Sequence, residues 1–349
     1  MSRINVDATG SMYTKMCRGC RLCCKGAKMV LFVTGACARD CFYCPLSEGR
    51  KGKDIVYANE RLVKSDSDAI EEARLMSALG TGITGGEPLL RLDRTLHYIK
   101  LLKGHFGERH HIHLYTGIAP PDDVLQKLAE AGLDEIRFHP PMEEWDRFRE
   151  TEFNRALNRS KDLGMDAGVE IPAIKPVPEI IAAVSKAKGF LNLNELEFSD
   201  TNYMALKERG YTLRDDTSNA AQGSEKIGHE IVLNNIANSR YCSSRFKDAV
   251  QLRERIKRVA RNTARPFDEI SADGTIIYGE IKGNIADALR MIKEMKTPRR
   301  LYRLYDDRID MAWWALEGLC KARGAAGWQG SIVERYPMEG GLVVERIPL

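Results

Sequence analysis

Along the first 200 residues, apolar and polar positions alternate between a strand period and a helix period. The run "KMVLFVT" (28–34) is apolar and β-branched and predicts a buried strand, ended by Gly35 and Ala36. A helix-like stretch near 67–79 leads into a short strand before "GGEP". Further strands are predicted at "HIHLYT" (111–116), "DEIRFH" (134–139), "DAGVEIP" (166–172) and "LNELEFSD" (193–200). Between them "PDDVLQKLAEAG" (121–132), one helix over 143–164 and "PEIIAAVSKAK" carry helical periodicity. Six βα units make this an α/β chain with an open, partial (β/α)6 TIM-like barrel. Past residue 210 the pattern changes. "TSNAAQGSEKIG" reads as a polar linker or mobile loop, followed by a helix over 248–266 and a hairpin turning at Asp273-Gly274. Helical patterns near 284–295 and 308–322 and a closing strand "GGLVVERI" complete it. The expected organisation is a cysteine-rich leader (1–27), the barrel (28–210), and a linker with a smaller α+β appendage (211–349).

Composition narrows the classes. Hydrophobic residues make up 43% of the 349 and charged residues 29%, an ordinary balance for a globular protein. No apolar run is long enough to span a bilayer, and "MSRINVDATG" lacks the apolar core of a signal peptide. The expectation is a cytoplasmic protein without a membrane partner. The formal charge of +4 is too small to demand an acidic partner. In a reducing compartment the nine cysteines are metal ligands or redox groups before they are disulfides. They are also crowded: Cys17, Cys20, Cys23, Cys24, Cys37, Cys41 and Cys44 precede residue 45, while Cys242 and Cys320 stand alone.

"CARDCFYC" places Cys37, Cys41 and Cys44 on a loop just past the end of the first predicted barrel strand, the edge where α/β sheets carry their sites. A structural zinc site takes four protein ligands. Three thiolates suit a 4Fe–4S cube, which keeps one iron open to a small molecule.

That CxxxCxxC spacing, with Tyr43 before the last cysteine, resembles the radical S-adenosylmethionine (radical SAM) superfamily. "GITGGEP" (82–88) adds a second match. The resemblance implies a 4Fe–4S cluster on Cys37, Cys41 and Cys44 whose open iron chelates SAM. It implies reductive cleavage to a 5'-deoxyadenosyl radical, an oxidoreductase chemistry fed by a one-electron donor such as a ferredoxin or flavodoxin. Gly85, Gly86 and Glu87 would hold the methionyl amino group, as glycines permit close backbone approach and a carboxylate accepts from an ammonium. Thr116, Arg137, His139, Glu170, Glu197 and Asn202 are expected near the same rim. Of these, Thr116, Arg137 and Glu170 are candidates to touch SAM, against the plain readings of a strand-ending threonine and surface charges. His105, His110, His111 and His113 do not converge, because alternation puts His110 opposite His111 and His113. "TGGEPLL" and "NELEFSDTN" resemble archaeal-type relatives of pyruvate formate-lyase activating enzymes over roughly residues 17–205. The leader cysteines and the long C-terminal part depart from the activases themselves.

The leader "CRGCRLCC" sets Cys17, Cys20 and Cys23 in the CxxCxxC spacing of bacterial-type ferredoxins, with Cys24 adjacent and Cys242 as the remote candidate for a further ligand. A second 4Fe–4S cluster, a zinc site and unligated thiols are the alternatives. Basic residues Arg253, Arg255, Lys257, Arg258, Arg261 and Arg265 mark one helix, either a solvated face or an RNA contact. The expected function is hydrogen-atom abstraction from a protein or peptide. The alternatives are an RNA-modifying radical SAM enzyme and a non-catalytic iron-sulfur or zinc protein that binds nucleic acid.

Overall fold

In the computed structural model, which describes residues 3–234, 238–322, 327–338 and 340–349, the strand-period segments form one twisted sheet. In chain order its unit contains β1 (Asn5–Val6), β2 (Met12–Tyr13), α1 (Arg18–Cys24), β3 (Lys28–Phe32), β4 (Tyr57–Ala58), β5 (Arg61–Leu62), α2 (Asp66–Leu75) and β6 (Gly80–Thr84). It continues with α3 (Leu92–Phe106), β7 (His111–Thr116), α4 (Asp122–Glu130), β8 (Glu135–Phe138), α5 (Glu152–Asp162), β9 (Asp166–Pro172) and α6 (Pro178–Lys186). Then come β10 (Phe190–Asn194), α7 (Tyr203–Glu208), α8 (Ser224–Leu233), β11 (Asn238–Cys242) and α9 (Ser244–Phe246). The sheet order is β1-β2-β11-β10-β9-β8-β7-β6-β3-β4-β5. Neighbours from β3 through β6–β10 to β11 are all parallel, the open partial barrel the alternation predicts.

Because side chains alternate, each strand has two faces. One face carries Met29, Leu31, Ile83, Ile112, Leu114, Ile136, Phe138, Val169, Ile171, Leu191 and Leu193, all buried. These pack with helix residues such as Leu102, Leu128, Leu157 and Val184, and each such side chain stabilises the fold by roughly 1.5–3 kcal/mol relative to exposure. The other face is polar: Lys28, His113, Arg137, Glu170, Asn192 and Arg240 share it and are buried too. A TIM-type interior is ordinarily filled by branched apolar residues. This one is lined by charges.

The sixth barrel strand lies at Phe190–Asn194, upstream of the predicted 193–200. "FLNLN" alternates leucines outward and polar residues inward, whereas the backbone of Glu197 makes only an isolated bridge to Ala220. The single helix expected over 143–164 is a 3-10 segment (Met142–Glu150) and then α5, separated by extended Thr151. The Thr151 hydroxyl donates to the Phe148 carbonyl across that break.

The expected linker is not one. Ser224, first residue of α8, accepts from the Leu196 N–H and donates to the Ala173 carbonyl. Its segment leads to β11, a seventh parallel strand that pairs β10, so Cys242 ends a barrel strand instead of following the barrel. The leader is built in as well, because β2 pairs antiparallel with β11.

Two compact units result. One reaches Leu252; the other holds Arg253–Leu349 with Leu75–Ser77. The second contains α10 (Arg253–Thr263), β12 (Glu269–Ile270), β13 (Ile276–Gly283), α11 (Ile285–Glu294), β14 (Tyr302–Leu304) and β15 (Arg308–Met311). It ends with α12 (Trp313–Ala322), β16 (Trp328–Arg335) and β17 (Val343–Pro348). The helix expected over 308–322 therefore begins as a strand. Its antiparallel sheet, in the order β14-β15-β13-β16-β17, buries Ile281, Ile309, Leu316 and Trp328 in a core of its own.

Candidate functional site

Cys37, Cys41 and Cys44 lie on the loop after β3 and share one chamber of about 320 Å³ with Gly85, Gly86, Glu87, Thr116 and Glu170. The loop is tied to the strand ends by named bonds. The Gly86 N–H donates to the Thr34 carbonyl at 2.8 Å, and the Glu87 N–H to the Ala36 carbonyl at 2.7 Å. A methyl on Gly85 would come within 2.5 Å of the Thr34 oxygen, and one on Gly86 within 2.5 Å of the Ala36 oxygen. Both glycines are thus required by the approach of the thiol loop itself, a reason additional to any ligand.

Glu87 is 2% exposed. Its carboxylate accepts from Leu89 N–H (2.9 Å), the Thr116 hydroxyl (2.9 Å) and Gly117 N–H (2.6 Å). Burial pushes its pKa up against those donors. Thr116 therefore acts on the glutamate from the neighbouring strand end.

Tyr43 explains the aromatic in the motif. His139, just past β8, has Nδ1 2.7 Å from the Glu170 carbonyl, so Nδ1 carries the proton and Nε2 accepts from the Tyr43 hydroxyl at 3.1 Å. Burial lowers the His139 pKa and keeps the ring neutral. Asn202 donates to the Tyr43 carbonyl and Thr201 to the Cys44 carbonyl, holding the loop from the far side. Glu197 does not reach the chamber and pairs with Lys247.

Arg137 lies below the expected rim. It is 2% exposed and lines a second cavity of about 230 Å³ with Cys20, Cys23, Arg240 and Cys242. Its guanidinium reaches Glu135, Glu170 (2.7 Å) and Tyr115 (2.8 Å). Although burial opposes ionisation, Arg137 and the amides of Asn194 and Asn192 hold Glu170 down to about 2. Thr84, Tyr115, Glu170 and Asn194 border both cavities. Cys17 caps α1, and its thiol contacts Glu135 and Arg137. The Cys24 thiol donates to the Met16 sulfur. Asn192, Asn194, Lys28 and Arg240 were missed as lining residues. Period-two alternation could have found the first pair once the strand began at Phe190. Among the described residues, no three Cys, His, Asp or Glu side chains gather tightly enough for one metal ion.

Three thiols at a parallel strand end, a glycine-bound loop and a buried carboxylate in one chamber fit an iron-sulfur and SAM site. The chain belongs to the radical SAM superfamily, whose family model matches residues 31–164. It is an enzyme of that class, and the family implies a 4Fe–4S cluster and SAM. Over 97% of its length and 94% of the relative's, it is 40% identical to a Methanocaldococcus jannaschii protein provisionally named a glycyl-radical enzyme activating enzyme. Residues 274–349 match a domain of unknown function, DUF8061. Among solved structures it is similar to methylornithine synthase (12% identity, TM-score 0.41, 59% of this chain and 62% of that one). It is also similar to Streptococcus suis SuiB bound to precursor peptide SuiA (13%, 0.41, 62% and 48%). The chain thus spans under two thirds of the length of these two structures. No helix among the described residues is long and apolar enough to cross a membrane.

Proposed function

We propose that the chain activates a protein or peptide substrate by radical chemistry, with Cys37, Cys41 and Cys44 as cluster ligands and Gly85, Gly86 and Glu87 as the SAM-binding segment. The observation that carries this is the single chamber shared by the three thiols and the glycine-glutamate segment. These residues would hold a 4Fe–4S cluster and SAM, which, when bound and supplied with one electron by a ferredoxin- or flavodoxin-class donor, would supply the radical chemistry for hydrogen-atom abstraction from substrate.

The chain's own residues do the positioning. Glu87, fixed by three donors, presents its remaining acceptor capacity to the SAM ammonium, while Glu170 stays ionised at the chamber floor. Neutral His139 pins Tyr43 and hence the loop without adding charge. The named relative supports a protein substrate. Much of the basic helix α10 is already engaged: Lys257 pairs with Glu254 and Arg253 with Asp273, and Arg265, just past it, pairs with Asp268 and Asp310. That weakens the RNA reading. The leader cysteines form a second metal site in this proposal, iron-sulfur or zinc.

The test is 5'-deoxyadenosine release by anaerobically reconstituted, reduced protein beside a Cys37→Ala, Cys41→Ala, Cys44→Ala variant. Release by the wild type alone is expected. A fully loaded wild type that neither releases it nor binds SAM would overturn the reading.

A further inference from the structure

We infer that Cys20, Cys23 and Cys242, joined by Cys17, hold a second 4Fe–4S cluster inside the barrel, directly beneath the SAM chamber. This rests on the reading that the leader cysteines bind metal, and it assigns the ligands, the metal and the place. The first observation is convergence from afar: α1 brings Cys20 and Cys23, and the end of β11 brings Cys242, to one cavity of about 230 Å³. A lone zinc holds its thiolates at about 2.3 Å, far tighter than three thiols spread around such a space. Cys17, the N-cap of α1, joins them through a shared donor: Asn192 Nδ2 lies 3.9 Å from its thiol and 3.5 Å from that of Cys20. The Cys24 thiol donates to the Met16 sulfur instead and does not line the cavity.

The second observation is charge. Arg240 is 2% exposed, and among the described residues its Nε has no hydrogen-bond partner and its guanidinium no carboxylate. Lys28, 5% exposed, meets the imidazole of His113, the thiol of Cys23 and the ring of Tyr115, and among the described residues it makes no ion pair with a carboxylate. Neither buried cation is paired with a carboxylate among the described residues, a costly arrangement. Both line the cavity, where an anionic thiolate cluster supplies the missing negative charge. Donors are aimed at sulfur as well: Arg137 Nη2 to Cys17 (3.2 Å) and Cys20 (3.8 Å), and Asn192 Nδ2 to Cys20 (3.5 Å). With four thiolates no iron is open to a small molecule, so this cluster exchanges single electrons and does not hold substrate.

The experiment uses full-length Cys37→Ala, Cys41→Ala, Cys44→Ala protein, reconstituted anaerobically and shown folded by circular dichroism. Roughly four irons and four acid-labile sulfides per chain should remain, with a paramagnetic signal on reduction. Adding Cys20→Ser, Cys23→Ser or Cys242→Ser should remove nearly all of the iron, and adding Cys24→Ser should not. Arg240→Gln keeps every thiol; shown folded by circular dichroism, its cluster should reduce at a more negative potential, and an unchanged potential would place the iron elsewhere. One zinc per chain in place of iron would overturn the cluster but leave a metal-binding leader. Folded protein free of metal would overturn both. Neither result touches Cys37, Cys41 and Cys44, whose role is read by 5'-deoxyadenosine release.

Discussion

Glu170 joins the two cavities through one carboxylate: Arg137 and Asn192 hold one oxygen, and Asn194 the other. Its pKa is depressed from 4.5 to about 2. A depressed carboxylate contributes stability that is fully present above its unfolded value and is lost as pH falls from about 4.5 toward 2. Urea midpoints should therefore fall across that window, and a Glu170→Gln chain should lose this part of the dependence. A pH profile identical in both proteins would contradict the assignment. Glu87 offers a different test, since its two oxygens accept three donors. In Glu87→Gln the amide NH2 faces one of those donors, a mismatch of about 1–3 kcal/mol. The melting temperature should drop, and SAM dissociation measured on cluster-loaded protein should weaken roughly 10- to 100-fold.

Among the elements, the thiol loop depends on the turn after β6. A methyl at Gly86 would press on the Ala36 and Gly35 carbonyls, both backbone of the loop, which cannot swing aside as a side chain can. Gly86→Ala should therefore lower iron incorporation at Cys37, Cys41 and Cys44 in protein whose far-ultraviolet circular dichroism is unchanged. Equal iron in variant and wild type would show that the loop tolerates displacement. The strand elements were legible wherever alternation was clean: HIHLYT and DAGVEIP fall on β7 and β9 residue for residue. β11 escaped notice because "NSRYC" mixes polar and apolar residues on both faces, with Ser239 and Arg240 buried beside Tyr241. Its polarity serves an ionic interior, which no apolar pattern announces.

For the whole molecule, eight of the nine cysteines lie before Arg253 and only Cys320 beyond it. A chain ending at Leu252 should then keep the iron content of the full-length protein, and loss of that iron would mean the second unit is needed to build the first. The second unit has its own buried core around Ile281, Ile309 and Trp328, the condition for folding as a unit.

The sequence alone determined the parallel α/β plan, the three-thiol loop and the GGE segment, because each is encoded locally, in a period of two or 3.6 or in a spacing of a few residues. Only the tertiary structure decided that Cys242 stands opposite Cys20 across some 220 residues, that Arg137 lies beneath the chamber, and that His139 anchors Tyr43. Those depend on which strands pair and in what register, and a one-residue slip of its strand would turn Arg137 or Cys242 to the opposite face.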